Sequence, residues 1–240
     1  MSSAKLRHFL EIKMATHVFL DLDGTLTDPK IGITNSIRYS MAKMDSPLPK
    51  SLDLDWTIGP SLWYSFKELG LGANDTEKAI SYYRERYTDI GLFENHVYEG
   101  IPEALQMLKE NNVSMYLMTS KPHNYAKKIT AHFNLSKFLT YEFGSELNGK
   151  NTDKADLLKE ALHHFKLQPE DTIMVGDRKF DIVGANKNSI KTIAVLWGYG
   201  SVDELEKEKP NFFVKTPNNL AKTIIAVSYT HLTLPTIYSV

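Results

Sequence analysis

The sequence predicts an α/β fold, a Rossmann-like, doubly wound parallel sheet with an inserted α-helical cap, on three observations. Short apolar, β-branched runs recur at His17–Leu20, Val113–Met118, Thr172–Val175, Thr192–Leu196 and Phe212–Val214, and read as strands. Amphipathic segments with helix-start signals separate the later four, and strand alternating with helix implies parallel crossovers. Between about Asp28 and His96 the rhythm breaks into helical stretches set apart by Pro and Gly clusters, as an insertion would.

The first strand ends at Asp21, and the chain then enters the insertion, with helices expected over Thr34–Met44, Ser61–Leu69 and Asp75–Tyr87. On return, Pro102 and Pro122 stand at first helical positions, and Asp153 precedes the helical run Lys154–Phe165. A weaker sixth strand is expected at Thr140–Phe143. The core is therefore expected over 14–27 and 97–227, and the cap over 28–96. Residues 1–13 read as a non-native or disordered extension, with Met14 as an alternative start. Residues 228–240 contain no acidic or basic residue except His231 and read as an artefactual tail, with the true C-terminus missing.

Composition narrows the function. The chain has 240 residues, 28 Lys+Arg against 29 Asp+Glu, and 42% hydrophobic residues, which is ordinary for a globular protein. A net charge of −1 exerts no overall pull toward nucleic acid polymers or anionic membranes. Without a single Cys there are no disulfides, thiolate metal sites or cysteine nucleophiles. No apolar run approaches the roughly 18 residues of a membrane span. The chain reads as cytoplasmic, with monomer and homodimer equally open.

Ligands of open parallel sheets bind outside the carboxyl ends of the strands. The first strand delivers Asp21-Leu22-Asp23-Gly24-Thr25 there, the second Thr119-Ser120-Lys121, and a later one Gly176-Asp177-Arg178-Lys179-Phe180-Asp181. Residues two apart on an extended strand point the same way, so Asp21 and Asp23 face the crevice while Leu22 faces the core. Their repulsion calls for a cation. Asp177 and Asp181 bring the carboxylates to four, an all-oxygen set that suits Mg²⁺.

Four motifs, VFLDLDGT (Val18–Thr25), MYLMTS (Met115–Ser120), Lys154 in NTDKADLL and IMVGDRKFD (Ile173–Asp181), occur in order and resemble the haloacid dehalogenase superfamily of phosphatases. The placement of the insertion and the strings ITNSIRYSM, TSKPHNYAKKI and LWGYG are similar to its phosphoglycolate-phosphatase and 5′-nucleotidase-like branch. The resemblance implies that Asp21 attacks phosphorus to give an aspartyl-phosphate and that Asp23 acts as general acid and then base. It implies Mg²⁺ held by Asp21, the Asp23 backbone carbonyl and Asp177, with Asp181 bound directly or through water. It places the phosphate among Asp21, Leu22, Asp23, Gly24, Thr119, Ser120 and Lys154, with Thr25 orienting Asp21. The expected partner is a small phosphorylated metabolite, phosphoglycolate or a nucleoside 5′-monophosphate. A phosphomutase of the same fold and a non-catalytic nucleotide-binding module are the alternatives.

Other motifs carry less. Gly144–Lys150 satisfies GxxxxGK, but Asn151 follows where a P-loop has Ser or Thr. His163-His164 lacks metal-ligand spacing. The cap aromatics Trp56, Trp63, Tyr64, Phe66, Tyr82, Tyr83 and Tyr87 have the helical spacing of a small core, although one or two facing the crevice would favour a nucleotide. Arg38 would meet either a substrate carboxylate or a surface partner. Arg178 and Lys179 read as charge balance in the acidic loop.

Overall fold

The computed structural model describes residues 17–150 and 152–230. The expected 1–13 extension and residues 231–240 of the tail lie outside the described residues. Six parallel strands form the main sheet in the order β5-β4-β1-β6-β7-β8. They are β1 (His17–Leu20), β4 (Ser114–Pro122), β5 (Tyr141–Ser145), β6 (Thr172–Gly176), β7 (Lys191–Val195) and β8 (Phe212–Val214). The weak sixth strand is thus real, as the edge strand β5.

Alternation along the strands builds two cores. Val18, Leu20, Met115, Leu117, Ile173 and Val175 face one side, where α4 (Ile101–Glu110), α5 (His123–His132) and α9 (Pro217–Thr230) pack. Phe19, Tyr116, Met118 and Met174 face the other, against α6 (Lys154–Phe165) and α7 (Lys179–Lys187), while α8 (Val202–Lys207) covers Ala194 through Leu205. Burying a Leu, Ile or Phe side chain contributes about 1.5–3 kcal/mol, so a one-residue slip of β1 would exchange the two faces at large cost. The segment expected to be an artefactual tail begins inside α9, whose last turn includes residues 228–230. No helix of the described residues is long and apolar enough to cross a membrane.

The cap contains α1 (Lys30–Lys43), α2 (Leu62–Glu68) and α3 (Ala73–Arg86), the last running into a wide turn at Tyr87–Gly91. Helix α1 starts four residues before the sequence expectation, because the Asp28 carboxylate accepts the Lys30 N–H and Pro29 presets the turn. The Ser40 hydroxyl donates to the Ala79 carbonyl and ties α1 to α3. Ile37, Met41, Phe66, Ile80, Tyr83 and Tyr87 belong to the same apolar cluster as Val18 and Leu20, so one core runs from sheet into cap. Arg38 donates to the carbonyls of Pro49, Lys50 and Leu52, which assigns it to pinning a cap loop.

The cap leaves and rejoins the sheet through a two-stranded antiparallel pair absent from the sequence expectation, β2 (Thr27–Asp28) and β3 (His96–Val97). Asp28 also accepts from the hydroxyl of Tyr199, which follows β7.

Candidate active site

The central strands end in register, with Leu20 beside Leu117 and Val175. The Asp21 N–H extends the ladder by one bond to the Val175 carbonyl, 3.0 Å. The Leu22 carbonyl then accepts from Thr25, Leu26 and Thr27, turning the chain back toward β2. Leu22 is wholly buried in the core, while Asp21 and Asp23 on either side lie in the pocket, as their two-residue spacing predicts.

Lys154 opens α6, whose start is fixed by Asp153: its Oδ1 accepts the N–H of Ala155 at 2.8 Å and of Asp156 at 3.2 Å. Its buried ammonium lies 2.8 Å from Asp21 Oδ1 and 2.8 Å from Asp181 Oδ1, and donates to the Met118 carbonyl at 2.7 Å. Asp177 Oδ2 accepts the Tyr199 N–H at 2.7 Å. Thr25 reaches toward Asp177 Oδ1, 3.4 Å away, rather than orienting Asp21 as the resemblance implied. Asp181 Oδ2 accepts the Arg178 N–H at 3.1 Å.

Oxygens of Asp21, Asp177 and Asp181 lie within 4.8 Å of one another, and all three residues are buried. When all three are ionised, three carboxylates against one ammonium leave two negative charges in a small volume, the donor set and charge that a divalent cation fits. The carboxyl groups carry the strain of that crowding. Burial, with the charges of Asp181 and Asp21, holds Asp177 well above the usual carboxylate range. Burial pushes Asp181 up to about 6, with Lys154 opposing and Asp21 adding. Burial depresses the Lys154 ammonium, but Asp181 and Asp21 outweigh it and hold the group above its ordinary value.

The Asp23 side chain stands apart from this cluster. It pairs with Lys121, 2.8 Å away, and the Lys121 ammonium also donates to the Tyr87 hydroxyl of the cap. Burial raises the Asp23 carboxyl and Lys121 restrains the rise. Asp23 Oδ1 is buried without a hydrogen-bond partner among the described residues. Lys121 is a site residue left unresolved by the sequence, although it follows Thr119 at the two-residue spacing of one strand face.

The candidate phosphate donors differ in what they have free. The Thr119 hydroxyl accepts the Lys121 N–H at 3.2 Å, which leaves its own proton for another acceptor. The Ser120 hydroxyl is committed to the Thr152 carbonyl. Gly24 donates its N–H to the Thr27 carbonyl, 2.8 Å. With φ of +82°, it sits where an added Cβ would fall 2.2 Å from Asp177 Oδ2. Asp21, Asp23, Thr119, Lys154, Arg178 and Asp181 line one pocket of about 20 Å³.

Arg178 does more than balance charge. It pairs with Glu204, 3.0 Å, and donates to the Ile58 carbonyl of the cap, closing one side of the pocket. The GxxxxGK segment forms no P-loop: Glu146 and Gly149 spend their N–H groups inside a turn, on Lys150 and Glu146. The cap aromatics split, with Phe66 in the core while Tyr83 and Tyr87 also line a cavity beside Asp23.

Similarities to known proteins bear on this geometry. Residues 18–195 match the family model described as haloacid dehalogenase-like hydrolase. A 5′-nucleotidase of Pseudomonas aeruginosa is 38% identical over 198 residues, 82% of this chain and 90% of that protein. A Clostridium acetobutylicum crystal structure described as a predicted phosphatase superposes with a TM-score of 0.85 at 37% identity, covering 88% of this chain and 99% of that one. Tyrosine-protein kinase PtkA of Mycobacterium tuberculosis is 35% identical over 190 residues, 79% of this chain and 65% of that protein.

Proposed function

The chain belongs to the haloacid dehalogenase-like hydrolase family, and on that premise we propose that it is a Mg²⁺-dependent phosphatase of small monoesters acting through an aspartyl-phosphate on Asp21. The observation that carries this reading is the division of four buried carboxylates into two groups. Asp21, Asp177 and Asp181 converge around Lys154, whereas Asp23 stands with Lys121 and a free oxygen.

Asp21, Asp177 and Asp181, with the Asp23 backbone carbonyl, would hold the Mg²⁺, which supplies charge neutralisation for the phosphoryl oxygens. Lys154 fixes Asp21 through Oδ1 and leaves its other oxygen to attack phosphorus in line. The Thr119 hydroxyl and the Leu22 N–H bind the equatorial oxygens, beside the charge of the Lys154 ammonium that lines the same pocket. Asp23, its carboxyl raised by burial, donates a proton to the departing alkoxide and then takes one from the water that opens the intermediate. Residues 28–96 act as a cap closing over the core of 14–27 and 97–227, excluding bulk water and bulky protein substrates. Phosphoglycolate and nucleoside 5′-monophosphates are the leading substrate classes.

The test is phosphate release from an ester panel by wild type and Asp21→Asn, with Mg²⁺ or EDTA. Turnover lost with both EDTA and the substitution supports the reading. An isomeric ester in place of free phosphate would make the protein a mutase. Phosphate passed from ATP to tyrosine, with no ester hydrolysed, would align it with the kinase-named relative.

A further inference from the structure

We infer that Arg84 of the cap is a specificity-determining residue that recognises an anionic group at the far end of a short leaving group. This deepens the phosphatase reading and rests on it. In-line displacement sends the leaving group away from Asp21 and toward the acid that protonates it, Asp23. Asp23 lines a cavity between core and cap, and with it stand Arg84, Lys121, Tyr83, Tyr87 and Trp63. That cavity holds about 80 Å³. At roughly 10–15 Å³ per water-sized probe, it admits a leaving group of about half a dozen heavy atoms. A cavity for a drug-sized ligand starts near 300 Å³, so a ribose bearing a base does not fit there. The larger groove of about 350 Å³, bounded by Tyr64, Phe180, Lys179 and Lys187, lacks both Asp21 and Asp23 in its lining.

Two side chains that line this cavity each carry a buried polar atom with no hydrogen-bond partner among the described residues. Asp23 Oδ1 is one, and it belongs at the bridging oxygen of the ester. The other is Arg84 Nε, a donor. Arg84 is held in place by a bond from Nη2 to the Leu147 carbonyl and by the Trp63 ring, 5.8 Å from its guanidinium carbon. Glu146 lines the same cavity but forms no ion pair with Arg84 among the described residues. A buried guanidinium N–H left unpaired is costly, and a carboxylate on the leaving group supplies the missing acceptor with a charge-assisted bond. A leaving group one heavy atom smaller, ending in a neutral hydroxyl, supplies it less well.

The experiment compares kcat/KM of the full chain for phosphoglycolate and for 2-hydroxyethyl phosphate, which differ at that terminus. Wild type is expected to favour phosphoglycolate by about tenfold or more, and Arg84→Gln to bring the ratio close to one. Arg84→Lys, which keeps the charge and loses the Nε donor, should fall between. A wild-type ratio near one overturns the inference without any variant, and so does a ratio that survives in Arg84→Gln. Turnover of none of these esters, nucleoside 5′-monophosphates included, overturns the phosphatase reading and this inference together. Faster turnover of nucleoside 5′-monophosphates than of phosphoglycolate overturns this inference alone.

Discussion

Lys121 lies 2.8 Å from Asp23, and both side chains are at most one-tenth exposed. The ammonium also donates to Tyr87, so one lysine joins the proposed acid to the cap. Removing one member of a buried ion pair costs about 3–5 kcal/mol when the other must stay charged. Asp23 escapes by taking up a proton, because burial already raises its carboxyl. In Lys121→Met the alkaline limb of the kcat/KM profile should therefore move to higher pH and the urea midpoint should fall. An unmoved limb would mean that Lys121 does not govern Asp23.

Asp177 is disfavoured as a charge by burial and by its neighbours Asp181 and Asp21. Asp177→Asn should therefore melt no lower than wild type in EDTA. Wild type should gain stability with Mg²⁺, by about 2.7 kcal/mol at a hundredfold excess over Kd. The variant should gain little. Melting curves with and without Mg²⁺ decide, and an undiminished gain in Asp177→Asn would remove that residue from the metal site.

Glu94 meets Arg86 through two bonds, 2.7 and 2.8 Å, and the guanidinium holds its carboxyl below the ordinary 4.5. A lowered carboxyl contributes stability that is complete above the unfolded value and is lost as pH falls through the folded one. The pair is partly exposed, so its contribution is at most about 1 kcal/mol. Wild type should lose more stability than Glu94→Gln as pH drops below 4.5, read from urea midpoints across an acid series. Parallel pH dependence in the two proteins would contradict the assignment.

Tyr199 donates its N–H to Asp177 and its hydroxyl to Asp28 of β2. Tyr199→Phe keeps the first bond and loses the second, at about 1.5–3 kcal/mol for a bond to a carboxylate. Amide exchange at Asp28 and His96 should accelerate while the Mg²⁺ response persists. Unchanged exchange would show that the hydroxyl does not hold the stem of the cap.

The parts of this site that follow a short period were legible in the sequence. Asp21 and Asp23 are placed by strand alternation, and Lys154 by the cap that Asp153 provides one residue earlier. Lys121 was harder because β4 continues past the apolar run, through Thr119 to Pro122, with a register shift there. Thr25 was assigned to the wrong carboxylate, since its partner Asp177 lies 152 residues away and is fixed only by sheet order. The sequence left open whether the cap aromatics face core or crevice, and Tyr83 and Tyr87 do both: helical spacing says which face is apolar, not what that face closes on.

The pairing of β2 with β3 brings the departure and return of the cap to adjacent points, Thr27 beside Val97 and Asp28 beside His96. A segment whose ends meet can be lengthened, shortened or exchanged without moving the strands on either side.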